Sequence, residues 1–189
     1  MISGHFPAPL KHSRIILLLK KPSLDTDVLA NYRPISNLPF LSKVFERLAL
    51  AQIQDYLTDF NLHSPMQSAY RRGHSTELAL LRVQNDILTA LDKEAVLVLL
   101  DFSSAFDTLD HRLLLSRLSD RYGITGMALR WLNSYLQGRT QSVAINEAVS
   151  DPVNVSYGVP QGSVAGPVLF TMLQFTYPRH HCYPSCPVC

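Results

Sequence analysis

The sequence predicts an α+β fold, and three observations carry that expectation. Several stretches place apolar residues at a helical period. Others are short apolar or alternating runs bounded by turn residues, the mark of strands. The hydrophobic fraction, 47% of 189 residues, is that of a chain able to bury a substantial core rather than remain disordered.

Residues 1–14 are rich in Pro and His and read as loosely ordered. Ile15–Leu19 reads as a short buried strand, ended by Lys20-Lys21-Pro22. Tyr32-Arg33-Pro34-Ile35-Ser36 reads as extended, because a residue before proline is pushed out of the helical region. Leu41, Val44, Phe45, Leu48, Tyr56 and Phe60 keep a roughly helical period, so a helix is expected over 39–59 with Ser36 or Asn37 near its cap. A turn-rich connector, 61–75, leads to a second helix over 76–92. Leu80, Val83, Ile87 and Leu91 form its face, Ser75 its cap, and Glu77 favours its start.

Ala95–Leu100 is continuously apolar, which predicts a strand covered on both faces, and Asp101 closes it. A helix starting near Asp110 carries Leu114, Leu118 and Tyr122 and stops at Gly123. Another runs over 125–137, with Gly138 after it. Gln141–Ile145 and Pro152–Val155 alternate around Asn146-Glu147, which predicts a hairpin. A loop through Gln161 then leads to an apolar helix over 164–175.

Net charge is only +2, so no global basic field announces nucleic acid, but the cations are unevenly placed. Lys11, Arg14, Lys20, Lys21 and Arg33 cluster early, and Arg71-Arg72 form a second patch. Ile15–Leu19 is too short for a signal-peptide core or a membrane span. The three cysteines fall in the last eight residues and cannot staple the body of the fold, which fits a reducing compartment. The expected location is intracellular, nuclear or cytoplasmic, with no membrane partner.

Two motifs point to chemistry. In the first, the apolar run Leu97–Leu100 ends in Asp101-Phe102, and Phe106 follows five residues after Asp101. Taken alone, Asp101 would be a surface or capping carboxylate and Phe106 a core aromatic. The second is Tyr157-Gly158-Val159-Pro160-Gln161-Gly162-Ser163, where two glycines and a proline impose an unusual backbone path. Taken alone, it would be a turn before the last helix. Together, and in this order, they resemble the core of a reverse transcriptase of the non-LTR retrotransposon (LINE-type) kind. Asp107-Thr108-Leu109-Asp110-His111, Asn31–Ser36 and Gln67–Thr76 resemble the same family. The resemblance covers about residues 15–175.

The resemblance implies a right-hand polymerase: fingers over 15–94 and an incomplete palm over 95–175, with an antiparallel palm sheet and packed helices. Its implied activity is RNA-directed DNA synthesis, nucleotidyl transfer to a primer 3′-hydroxyl. The partners would be an RNA template, a DNA primer and a deoxynucleoside triphosphate. Asp101 would be the catalytic carboxylate and a Mg²⁺ ligand, since nucleotidyl transfer uses paired divalent ions. Arg33 would contact the triphosphate, with Lys20 or Lys21 nearby. Phe102, Phe106, Gln161 and Gly162 would line the nucleotide pocket, Phe106 as a gate against a 2′-hydroxyl. Arg71 and Arg72 would touch nucleic-acid backbone.

The family pattern continues with an aromatic-Ala-Asp-Asp hairpin. Here no Asp or Glu follows Asp151, and Pro184-Ser185 stands where Ala-Asp is expected. The chain therefore reads as a fragment with an incomplete Mg²⁺ site, catalytically incomplete on its own. Two other readings remain open: a non-catalytic nucleic-acid-binding remnant, and a zinc-stabilised interaction module in the tail, 176–189. For the latter, Cys182, Cys186 and Cys189 with His181 or His180 supply thiolate and imidazole ligands.

Overall fold

A computed structural model describes residues 3–90, 96–102 and 105–174. The fold is mixed α and β, with a five-stranded sheet and five α-helices among the described residues. Strand β1 (His12–Leu19) is longer than its apolar run, because pairing extends to His12. It pairs antiparallel with β2 (Tyr32–Asn37) on one side and parallel with β3 (Arg139–Ile145) on the other.

β3 turns at Asn146, whose φ of +54° suits a tight reversal, into β4 (Ala148–Val149), and then pairs with β5 (Val153–Val155). The expected hairpin is therefore present. Ala144 faces Val149 while Gln141 faces Val153, so the returning segment takes four steps against three and carries one extra residue, a bulge near Ser150. Because β1 and β3 run parallel while β3 pairs antiparallel with β4 and β5, the sheet as a whole is mixed.

The helices are α1 (Phe40–Asp59), α2 (Thr76–Ala90), α3 (His111–Tyr122), α4 (Gly126–Leu136) and α5 (Gly166–Gln174). α3 starts where Asp110 accepts the Arg112 and Leu113 amides at 2.8 and 3.0 Å, and stops at Gly123 in the left-handed conformation. Ser75 caps α2 as expected, its hydroxyl taking the Leu78 amide. The cap of α1 differs: Pro39 occupies that position without a side-chain hydrogen bond, and Ser36 and Asn37 belong to β2.

The core lies between α3, α4 and α5. Leu114, Leu118, Leu132, Leu136 and Leu169 are its centre, and Ile53 and Leu57 of α1 join it. The N-terminal segment, expected to be loosely ordered, is docked instead. Phe6 is buried, its ring edge-on to Trp131 and Tyr135 at centroid distances of 5.6 and 5.2 Å, and its amide is bonded to the Ser134 hydroxyl.

α1 buries a different face from the one read from its apolar spacing. Ser42, Glu46, Ala49, Ile53 and Leu57 point inward, whereas Leu41 and Leu48 are exposed. The reason is polar: Glu46 is needed inside as a hydrogen-bond acceptor. α2 forms as expected but buries none of its residues.

The central strand expected over 95–101 is not seen. Val96–Leu100 carries no strand pairing, and Val96, Leu99 and Leu100 are 88%, 83% and 82% exposed. A strand is stable only when its backbone groups and both faces find partners, and no described strand offers one to this segment. Asp101 accordingly sits on an exposed, irregular stretch and not at a strand tip. Residue 95 and the tail, with His181, Cys182, Cys186 and Cys189, lie outside the described residues.

Candidate functional site

Three chain segments meet at a cleft of about 330 Å³. From the end of β1 and from β2 come Lys20, Tyr32, Arg33 and Pro34. From the stretch before α3 come Phe102, Ala105, Phe106 and Asp107, and from the loop between β5 and α5 comes Gln161. The antiparallel register, Leu18 opposite Arg33, places Lys20 and Arg33 at the same end of the sheet. The Lys20 amide donates to the Asn31 carbonyl at 2.9 Å, and its ammonium donates to the Ala30 carbonyl at 2.7 Å. Lys20 therefore faces this turn and lines the cleft, whereas Lys21 does not line it.

Phe106 is half-buried, with its ring 5.5 Å from that of Phe170 on α5. Its backbone carbonyl accepts the Val159 amide at 2.8 Å, which ties the aromatic segment to the glycine–glutamine loop. The Gly158 amide donates to the Leu109 carbonyl at the same distance. Glycine is required at 158. Its φ is +78°, and a Cβ there would stand 2.7 Å from the Phe106 carbonyl oxygen and 2.9 Å from the Asp107 Cα. Gly162, at φ +122°, approaches the Ser36 carbonyl of β2 just as closely, so a Cβ would lie 2.8 Å from that oxygen. The Ser36 amide donates to the Gln161 carbonyl at 2.8 Å. Gly162 thus sets the loop against β2 and does not itself line the cleft.

A second cavity of about 390 Å³ runs on from the first, sharing Pro34, Asp107 and Gln161. It lies over the sheet face that carries Ser13, Ile15, Arg139 and Gln141, beneath Tyr157–Gln161. Arg139 is buried. Its guanidinium stacks 4.9 Å over the Tyr135 ring and donates to the Tyr135 carbonyl. Burial first, and then the Glu46 carboxylate, push the Tyr135 phenol well above its ordinary pKa. That hydroxyl lies close to Glu46 and Ser163 but completes no hydrogen bond of good geometry.

Arg71 and Arg72 do not line the cleft. Arg71 donates to the Ser64 carbonyl, and its charge, after burial, helps to lower the pKa of His63.

The cleft combines two cations, three aromatic rings, one amide side chain and one carboxylate. That set suits a ligand with a polyanionic end and a planar or apolar body. It brings together Lys20, Arg33, Phe102, Phe106 and Gln161, all expected from the sequence, and adds Tyr32, Pro34, Ala105 and Asp107. Tyr32 and Pro34 flank Arg33 in the motif already singled out, and Asp107 follows Phe106, so position beside a motif residue was the available signal.

No group of three or more His, Cys, Asp or Glu side chains is arranged to hold a metal ion among the described residues. Asp101 is exposed and Asp107 lies on the cleft wall. Among the described residues no helix is long and apolar enough to cross a membrane.

Residues 19–177 match the family described as Reverse transcriptase (RNA-dependent DNA polymerase), and the chain belongs to that family. Its curated relatives are proteins of mobile elements. The chain is 38% identical over 167 residues to a probable RNA-directed DNA polymerase from transposon X-element of Drosophila melanogaster, covering 87% of this chain and 18% of the relative. It is 34% identical over 179 residues to the RNA-directed DNA polymerase from mobile element jockey of the same species, covering 94% and 19%. It is 32% identical over 170 residues to a putative 115 kDa protein in type-1 retrotransposable element R1DM, covering 90% and 16%. The LINE-type kinship read from the motifs is thus borne out, and the chain spans about a fifth of the length of these relatives. The family works with divalent metal ions, a nucleic-acid template and a primer.

Proposed function

We propose that this chain forms the fingers and part of the palm of a right-hand RNA-directed DNA polymerase, and that the cleft receives the incoming deoxynucleoside triphosphate. The convergence of Lys20, Arg33, Phe102, Phe106 and Gln161 on one cleft carries this reading. Lys20 and Arg33 hold the triphosphate, Arg33 through planar paired donors. Phe106, braced by Phe170, limits the space beside the sugar, and Gln161 closes the opposite wall. Asp101 is the catalytic carboxylate and a ligand for Mg²⁺, an ion that takes one or two carboxylates and keeps positions for phosphate. Arg71 and Arg72 contact the backbone of an RNA template or DNA primer.

Nucleotide binding by the purified 189-residue polypeptide, followed by calorimetry with a deoxynucleoside triphosphate and Mg²⁺, tests this reading. Arg33→Ala removes a charge-assisted contact and should weaken affinity by about 10- to 100-fold. Arg71→Ala should leave nucleotide affinity intact while weakening single-stranded RNA binding and flattening its salt dependence. Equal nucleotide affinity for the native chain and Arg33→Ala would sink the assignment.

Primer extension gives a second measurement. A complete reaction needs more carboxylate ligands than Asp101, and none follows Asp151 in this polypeptide. The polypeptide by itself should not extend a primer on an RNA template with Mg²⁺ or Mn²⁺. Extension that vanishes in Asp101→Ala would overturn that expectation. RNA binding without nucleotide binding would favour the non-catalytic reading.

A further inference from the structure

The loop carrying Gln161 is held at both ends by buried ionisable side chains that do not line the cleft. At its start, His111 on the first turn of α3 stands 2.7 Å from the Gly158 carbonyl through Nε2. A carbonyl only accepts, so Nε2 carries the hydrogen and donates. At its end, the Glu46 carboxylate of α1 accepts the Val164 amide at 2.6 Å and the Ala165 amide at 3.2 Å through one oxygen. Its other oxygen accepts the Ser42 hydroxyl at 3.1 Å. Glu46 is fully buried and His111 nearly so.

The amides that Glu46 takes immediately precede α5, where helix N–H groups lack intrahelical partners and favour negative charge. Between the two ends the loop meets β2 through the Ser36 amide, donated to the Gln161 carbonyl, and through the close approach of Gly162. The two ends, together with the Val159 amide donated to the Phe106 carbonyl, hold the span on which Gln161 rides.

We propose that Glu46 and His111 are positioning residues of the cleft: together they clamp the Gly158–Ala165 span and set where Gln161 stands opposite Arg33 and Phe106. This rests on the nucleotide reading above. Neither residue touches the cleft, so each acts through the loop.

The test uses the 189-residue polypeptide with Glu46→Gln, His111→Ala, His111→Gln and Ser42→Ala. Two measurements are made below the unfolding transition of every variant: hydrogen exchange at the Ser36 amide, and affinity for a deoxynucleoside triphosphate with Mg²⁺. Glu46→Gln and His111→Ala should each speed Ser36 exchange and weaken nucleotide binding by about tenfold. His111→Gln, whose amide nitrogen can replace Nε2 as donor, should recover most of the loss. Ser42→Ala removes a bond to Glu46 without touching the loop, and should leave both readouts near native even if it lowers stability. Native exchange and native affinity in Glu46→Gln and His111→Ala would overturn the clamp, whatever happens to their melting temperatures. Should Glu46→Gln not fold, the His111→Ala and His111→Gln pair decides. If the native chain binds no nucleotide, the nucleotide reading fails, and Ser36 exchange alone still decides whether the clamp exists.

Discussion

The two motif segments that meet at the cleft differ sharply in how they are held. Residues 157–163 are fixed by many short contacts: Gly158 to Leu109, Val159 to Phe106, Ser36 to Gln161, and His111 to the Gly158 carbonyl. Residues 96–102 carry an equally recognisable motif, yet they lie exposed and outside the sheet. The loop's conformation is dictated by its own glycines and by neighbours within the fold. The apolar segment has the composition of a buried strand but finds no strand partner among the described residues. A motif can therefore be complete in sequence while the contacts that would shape it are not.

Substitutions of similar size should have opposite consequences in the two segments. Gly158→Ala forces a residue with a Cβ into φ +78° and against backbone atoms 2.7–3.0 Å away, which cannot rotate aside. The left-handed conformation alone costs about 1–2 kcal/mol, and the clash adds to it. The expected loss in urea unfolding is on the order of 3 kcal/mol. Val98→Ser, at a site 66% exposed, should change stability by no more than about 0.5 kcal/mol. A large loss at Val98 would mean that the apolar segment is packed after all, and the contrast would fall.

The same contrast explains what was legible in the sequence. α3 was readable at both ends because Asp110 and Gly123 act locally, through bonds to amides and carbonyls one turn away. The cleft was readable because its residues sit in short motifs. The inward face of α1 was not, since Glu46 inside and Leu48 outside reverse the usual preference. Its partners are the amides of residues 164 and 165, far along the chain, and no periodicity announces them. Phe6 was missed for a like reason: one aromatic in a Pro- and His-rich stretch gives no period, yet it fits between α1 and α4. The strand at 95–100 was over-read because an apolar run reports burial preference, whereas strand formation needs a paired neighbour.

A smaller effect sharpens the comparison from the edge of the pinned region. Asp110 caps α3 immediately before His111, whose ring holds Gly158. The Leu113 amide, and then that of Arg112, hold the Asp110 carboxyl below its ordinary pKa. A carboxyl depressed in the folded state stabilises the fold above its unfolded pKa, near 3.9, and loses that contribution as pH falls through the lower folded value. Acidification across that window should loosen the first turn of α3. Exchange at the Gly158 amide should then rise more steeply with acid, after correction for intrinsic rates, in the native chain than in Asp110→Asn. The asparagine also caps helices but does not titrate, so its profile should be flatter. Exchange over 96–100 should follow intrinsic rates in both proteins, because those amides belong to no described strand. Identical profiles at Gly158 in the two proteins would show that the α3 cap does not support the loop, leaving Glu46 and the glycine contacts to hold it.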